Sequence, residues 1–191
     1  MRVAYADPPY PGRAYLYEGH PDYAGEVDHP ALIERLRGFD GWALSTNAES
    51  LHWILPLCPE RHRVLAWVKN TITVAWEPVI VVSARRPDPG LRDWIHSEAD
   101  SYQWRPQPDT YVIGQKPERF CVWLFAWLGA QPDDEFVDMF PGSGQVTRAW
   151  ERWSAQLALP LGRSVSAEGR AQRREREKTL AAHPQLDGVD T

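Results

Sequence analysis

Asp7-Pro8-Pro9-Tyr10 gathers a carboxylate acceptor, a stiff turn and an aromatic face within four consecutive residues. The apolar run at 3–6 reads as a buried strand, which puts Asp7 at its carboxyl end. Pro8 and Pro9 fix their own φ angles and cannot donate to a sheet ladder, so the strand must stop there. In an open α/β sheet, ligands bind just outside the carboxyl ends of the strands. These groups suit a planar substrate with an exocyclic amino group. Asp7 and the Pro8 carbonyl would accept from the NH2 while Tyr10 stacks on the ring. Drawing the amine protons toward acceptors takes the lone pair out of conjugation and makes a poor nucleophile better.

A second constellation lies at 138–144, Asp138-Met139-Phe140-Pro141-Gly142-Ser143-Gly144, between a strand pattern and a helix pattern. Gly142 and Gly144 let backbone approach a ligand closely, and the helix that follows points free N–H groups and its positive end toward it. Asp138 can accept from a charged amino group or from hydroxyls, and Phe140 can pack on apolar parts. Taken singly, each motif reads equally as a tight turn.

The elements that must hold these residues follow from periodicity. His29-Pro30 opens a helix whose Leu32, Ile33, Leu36 and Phe39 share one face, with Gly38 as its stop. Residues 41–45 read as a strand, and Thr46-Asn47 as the cap of a helix through Leu51, Ile54 and Leu55 that ends at Pro56. Residues 63–69 and 75–83 read as two strands joined by a short link, an antiparallel hairpin at one edge, with Pro78 near the opening of the second. Lys116-Pro117-Glu118-Arg119-Phe120 opens an apolar helix over 121–128, closed by Gly129. Residues 135–138 form the next strand and 145–153 the next helix. Strands alternating with helices predict an α/β fold, mostly parallel, with helices on both faces.

The remaining stretches carry less pattern. Residues 11–29 hold Tyr15, Tyr17 and Tyr23 among glycines, and read as a loop that is either a lid beside Tyr10 or an irregular surface segment. Residues 84–115 read as an inserted arm in which Arg85, Arg86, Arg92 and Arg105 mix with Tyr102, Trp104 and Tyr111. That mixture suits a single strand or a flipped base, and equally a Pro-rich loop packed on the sheet. The chain has 191 residues and a net charge of -5. That size suits one α/β domain over 1–161, followed by a charged, partly helical or disordered tail over 162–191. Net acidity argues against nonspecific coating of duplex DNA but leaves room for a local basic cleft. No run is long enough for a membrane span and the opening lacks a signal-peptide pattern. Cys58 and Cys121, without a CxxC or a clustered histidine, point away from a disulfide framework and a structural metal. These features predict a cytoplasmic protein.

The Asp-Pro-Pro-Tyr set resembles the signature of the S-adenosylmethionine-dependent amino-methyltransferases, which methylate the amino nitrogen of adenine or cytosine. Residues 138–144 are similar to that family's Asp-Pro-Phe-x-Gly-Ser-Gly turn, with Met139 in place of the usual proline. A permuted branch that includes DNA adenine-N6 methyltransferases places the two motifs in the order seen here, with a helix beginning Lys-Pro-Glu before the glycine turn. The 67–69 and 76–78 stretches also look like counterparts in that branch. The resemblance covers about residues 3–154 and implies a Rossmann-like methyltransferase fold.

By that resemblance, Asp7, Pro8, Pro9 and Tyr10 would be catalytic. Asp138, Phe140, Gly142, Ser143, Gly144, Lys116 and Pro117 would hold S-adenosylmethionine, with Lys116 toward the cofactor's carboxylate. Tyr15, Tyr17, Trp76, Glu77, Arg85, Arg86 and Trp104 would contact the substrate. No metal is needed. The implied partner is nucleic acid, most simply DNA, with oligomerisation one route to specificity. Two departures accompany the resemblance. The stretch 155–161, read as the strand after the glycine helix, carries no acid to hold the cofactor ribose, and no room remains for another strand-helix unit. Alternatives are a noncatalytic subunit of the same fold, cytosine-N4 or RNA adenine as substrate, and a protein glutamine amide, whose signature resembles Asn-Pro-Pro-Tyr.

Overall fold

A computed structural model describes residues 1–19, 23–69, 76–96 and 116–158. Residues 1–158 form one compact unit. The expected tail, Trp104 and most of the expected arm lie outside the described residues.

The framework is a six-stranded sheet in the order β5-β3-β4-β2-β1-β6. Its strands are β1 (Arg2–Ala6), β2 (Gly41–Ser45), β3 (Arg63–Val68), β4 (Trp76–Val82), β5 (Trp94–His96) and β6 (Glu135–Asp138). The pairs β1–β2, β1–β6 and β3–β5 are parallel, whereas β4 runs antiparallel to both of its neighbours, β2 and β3. The expected hairpin is therefore present but is not at an edge. Trp94–His96, inside the stretch read as an arm, adds β5 outside β3. A three-residue strand is too short to show a period of its own, which is why the sequence hid it.

Pro78 sits inside β4 with a neighbour on each side, where proline would normally break a ladder. Its carbonyl accepts from Thr46 N–H at 3.2 Å. The nitrogen of a strand residue faces the same neighbour as its carbonyl, so the missing N–H points at Thr46, one residue past the end of β2. The ladder loses its bond where it was about to stop.

Both faces of the sheet are covered. On one, α1 (His29–Leu36) and α2 (Leu51–Ile54) bury Leu32, Ile33, Leu36 and Ile54 against Ala4, Ala6, Trp42, Leu44 and Ile80. Asp28 caps α1, accepting from Ala31 N–H at 3.0 Å. Asn47 accepts from Ser50 N–H at 3.0 Å, as the capping expectation required. The helix it starts is short and flanked by 3-10 turns, and Pro56 continues it within the last turn rather than ending it. Residues 14–17 within the expected loop also form a 3-10 turn.

The other face carries α3 (Glu118–Leu128) and α4 (Gln145–Ala158). Helix α3 is apolar almost all round because Phe120, Leu124 and Leu128 are buried with the sheet residues while Phe125 meets Trp150 and Trp153 of α4. Gly129 ends α3 at φ 65°, a left-handed cap where a Cβ would come within 2.9 Å of the Arg85 backbone. Residues 155–158, expected to start a strand, are instead the last turn of α4. Cys58 and Cys121 are free and buried, and burial pushes the Cys121 thiol up to about 12.

The edge of the sheet where β1 and β6 begin is fastened by Asp134. It accepts from Arg85 Nη1 at 2.5 Å, Arg85 Nη2 at 2.8 Å and Gln131 N–H at 2.8 Å, with its side chain buried. The Arg85 hydrogen bonds hold its carboxyl well below the usual carboxylate range, against the effect of burial. A carboxylate so depressed stabilises the fold above the ordinary aspartate value, about 3.9, and its contribution is lost as pH falls through the depressed value. Asp134→Asn should cost about 3 kcal/mol in urea unfolding at neutral pH. It should also flatten the loss of stability below pH ~4 relative to the unaltered chain.

Candidate functional site

Period-two alternation puts one set of side chains on the α3 face at the carboxyl edge of the sheet. Tyr5 and Leu65, Trp67 and Val79 are core residues of that face. Two residues on from Tyr5 is Asp7, two on from Trp67 is Lys69, and two before Val79 is Glu77. Glu77 reaches the carboxyl edge only because β4 runs backwards, so its first residues lie beside the last of β3, with Trp67 opposite Glu77. Lys116 enters the same space from the residue just before the Pro117 cap of α3.

The result is a cluster of two carboxylates and two ammonium groups. Lys116 Nζ donates to Asp7 Oδ2 at 2.5 Å, and Lys69 Nζ donates to Glu77 Oε1. Tyr10 Oη donates to Glu77 Oε2 at 2.8 Å. Trp67 supports both cations, its ring centroid 4.3 Å from Lys69 Nζ and 5.3 Å from Lys116 Nζ. Beneath them Tyr5 Oη and Ser45 Oγ share a hydrogen bond of 2.7 Å. Lys116 is 4% exposed along its side chain, whereas Asp7 keeps 23%. The acid is the part of the pair open to a ligand.

Electrostatics assign distinct states to these groups. Burial pushes the Asp7 carboxyl up, against the pull of Lys116. Burial also opposes charge on Glu77, but Lys116, Lys69 and the hydrogen bonds it accepts outweigh it and hold the carboxyl below its ordinary value. Burial opposes charge on Lys116 too, yet Asp7 and Glu77 raise its pKa above the usual lysine value. Lys69 is lowered by burial in spite of Glu77. Burial, with the nearby charges of Asp7 and Glu77, raises the Tyr10 hydroxyl, which stays a neutral donor.

The glycine turn stands beside this cluster because β1 and β6 are hydrogen-bonded neighbours. Tyr5 is opposite Asp138, and Met139 N–H donates to Tyr5 O at 2.9 Å. Asp138 Oδ2 accepts from Thr147 Oγ1 of α4 at 3.1 Å, while Oδ1 is buried without a partner among the described residues. Burial raises the Asp138 carboxyl despite that hydrogen bond and a second from the Phe140 backbone. Gly142 and Gly144 adopt φ 46° and 71°, and Ser143 Oγ accepts from Gln145 N–H at 3.4 Å at the start of α4. At this turn a helix of 14 residues presents its N-terminus next to a half-buried carboxylate. Phe140 packs, partly buried, on the α1 side of the sheet.

The structure therefore brings together Asp7, Pro8, Pro9 and Tyr10 with Glu77, Lys116 and Pro117, and sets Asp138, Phe140, Gly142, Ser143 and Gly144 alongside. Trp76, partly exposed, begins β4 at the same edge. Tyr17 is close enough for the Asp7 charge to add to burial in raising its hydroxyl. Tyr15 is 54% exposed on the 3-10 turn.

Other expectations land elsewhere. Lys116, lying over Trp67, donates to Asp7, and its charge also reaches Asp138 at the head of the glycine turn. Arg85 is at the opposite edge. Antiparallel β4 ends beside the beginning of β2, with Val82 opposite Trp42, and Arg85 leaves from there to bind Asp134 just before β6. The length of β6, about 13 Å, separates that bridge from Asp138. Arg86 follows Arg85 away from the cluster. Trp104 lies outside the described residues. Lys69, Ser45 and Trp67 were not singled out as site residues. The available signal was a lysine closing an apolar strand, placed two residues after a tryptophan.

Among the described residues, no group of three or more His, Cys, Asp or Glu side chains is arranged to hold a metal, and no helix is long and apolar enough to cross a membrane. No family model matches the chain, and no curated protein matches it significantly.

Removing Lys116 strands Asp7 in a largely buried setting. Lys116→Met should therefore cost about 3 kcal/mol in urea unfolding, and clearly less in an Asp7→Asn background. Equal costs in both backgrounds would mean that the two groups are not coupled.

Proposed function

We propose that this chain is an S-adenosylmethionine-dependent methyltransferase that modifies the exocyclic amino nitrogen of adenine in DNA. The observation that carries the reading is the β1–β6 pairing. It sets an Asp-Pro-Pro-Tyr turn directly beside an Asp-x-Phe-x-Gly-Ser-Gly turn at the carboxyl edge of a largely parallel sheet. An amino group to be methylated and a methyl donor need that adjacency, since transfer is in line and depends on orientation. A Rossmann-like methyltransferase architecture fits the helix-covered sheet as well.

The donor's half of the site has suitable chemistry. Asp138 Oδ1 is a buried acceptor without a partner among the described residues, and the Gly142-Ser143-Gly144 turn, with both glycines at positive φ, exposes backbone at the N-terminus of α4. Asp138 would accept from the donor's amino or ribose hydroxyl groups, the glycine turn would pass close to it, and Phe140 would cover its apolar part. S-adenosylmethionine would supply an electrophilic methyl group on sulfur.

The protein's own work is positioning and proton handling. Asp7 and the Pro8 carbonyl accept from the amine, turning its lone pair toward the donor. Tyr10 stacks on the base. The donor would give up its methyl group to the nitrogen, and the amine proton would leave toward Asp7, whose carboxyl burial has already made more basic. Lys116 fixes Asp7 in place and balances its charge. In a duplex the adenine would flip out to reach Tyr10, with Tyr17 near its path. Cytosine-N4 and RNA adenine present the same amine chemistry.

One observation favours a second reading, a noncatalytic relative that supports a partner. Residues 155–158 complete α4, so among the described residues no strand follows that helix to bring a second acid to the donor's ribose. Calorimetric titration with S-adenosylmethionine separates the two. Binding is expected, weakened at least ~10-fold by Asp138→Ala and retained by Asp7→Ala. Methyl transfer to an adenine-containing oligodeoxynucleotide should fall by at least ~100-fold in Asp7→Ala. Folded protein that takes up no S-adenosylmethionine would move the assignment to the noncatalytic reading.

A further inference from the structure

We propose that Glu77 is a positioning residue for the substrate base, holding the Tyr10 ring by its hydroxyl while Lys69 and Trp67 hold Glu77. The proposal rests on the methyl-transfer reading and names the part of the site that orients the ring on which that transfer depends.

A tyrosine in a Pro-Pro turn has a fixed backbone on one side and a ring free to swing about two side-chain bonds. Its hydroxyl lies in the ring plane and on the ring axis. A hydrogen bond there restrains the swing without covering either π face. Tyr10 makes such a bond, 2.8 Å to Glu77 Oε2. The second oxygen of Glu77 takes Lys69 Nζ, so both oxygens are engaged and the carboxylate is fixed. Lys69 in turn lies over Trp67, and Trp67 packs 4.8 Å from Phe120, centroid to centroid, in the centre of the α3 face. A continuous set of contacts runs from the core to the stacking ring.

Stability alone does not account for this arrangement. A buried ion pair is often no better for the fold than apolar residues of the same size. An ionised acceptor does hold a phenol more firmly than a neutral one, because charge-assisted hydrogen bonds are about twice as strong. Lys69 allows the buried carboxylate to stay ionised for that purpose. Phenylalanine at position 10 would present a similar face for stacking but would lose the restraint. The effect should therefore appear in kcat more than in KM, since a misplaced reacting group can cost up to ~100-fold in rate.

The test uses Tyr10→Phe, Glu77→Gln and the double variant of the full chain, assayed on a single-stranded oligodeoxynucleotide containing adenine. The same proteins are labelled with ring-13C tyrosine for NMR. Each single change should lower kcat about 10-fold with KM within ~2-fold, and the double should be no slower than the slower single. The ring signal of Tyr10, identified by its loss in Tyr10→Phe, should shift in Glu77→Gln. Lys69→Met should act as Glu77→Gln does, and Lys69→Arg should recover most of the rate. Independent, multiplying effects in the double variant would overturn the proposal, as would a Tyr10 signal unmoved by Glu77→Gln. An unaltered chain that transfers no methyl, but whose Tyr10 signal still answers to Glu77→Gln, would remove the transferase reading and keep the anchor. Should Glu77→Gln fail to fold, Lys69→Met and Tyr10→Phe carry the same comparison.

Discussion

Four charges share a nearly dry space at the carboxyl edge of the sheet, and much of the site's order follows from their need to balance. Asp7 with Lys116 and Glu77 with Lys69 are two ion pairs on one face, close enough that each carboxylate is influenced by both cations. Removing any one group would leave an odd charge in a medium that solvates it badly. The pairs are held by different elements: β1 and the lead-in to α3 supply one, β3 and β4 the other. Electrostatic balance therefore ties the helix that covers this face to strands on both sides of β2.

That arrangement depends on the direction of a single strand. Had β4 run parallel to β2, Glu77 would sit at the opposite edge, beside the start of β2, and Tyr10 would have no partner there. Its reversal also sends Arg85 away from the cluster to fasten the start of β6 through Asp134. A single topological feature thus separates Glu77 from Arg85, though the resemblance set both on the same substrate. Pro78 is compatible with the reversal because its missing donor faces the residue just past β2.

How far the chain was legible varied with the length scale of the signal. β1, β2, α1 and α3 were plain because their apolar residues recur with one period over several positions, and Gly129 and His29-Pro30 mark helix ends by local chemistry. The adjacency of Asp7 and Asp138 follows from strand order, which no local pattern states. It entered through a resemblance between motifs and is now a register, Tyr5 opposite Asp138. β5 escaped because three residues carry no period. Residues 155–158 were misread because the resemblance called for a strand after the glycine helix, while the helix already begun at Gln145 simply continues through them. Arg85 and Arg86 were read by composition, and composition cannot say at which edge of a sheet a strand emerges.

Lys116 shows how placement changes the meaning of a residue. A cation at the start of a helix meets the positive end of the helix dipole, an unfavourable position by a few tenths of a kcal/mol or more. Burial makes it worse. A lysine held there needs carboxylates nearer than the dipole, and Asp7 and Glu77 are those carboxylates. The resemblance set this lysine toward the cofactor's carboxylate, and an internal acid as its partner was not foreseen. Phe120, one turn into α3, is wedged between Tyr5 and Trp67, so the lysine that leads the helix has its stem laid over Trp67 and its charge set on Asp7. The acid that would receive the substrate amine is thus oriented by the same helix that closes the core, which couples the integrity of that core to the geometry of the reacting groups.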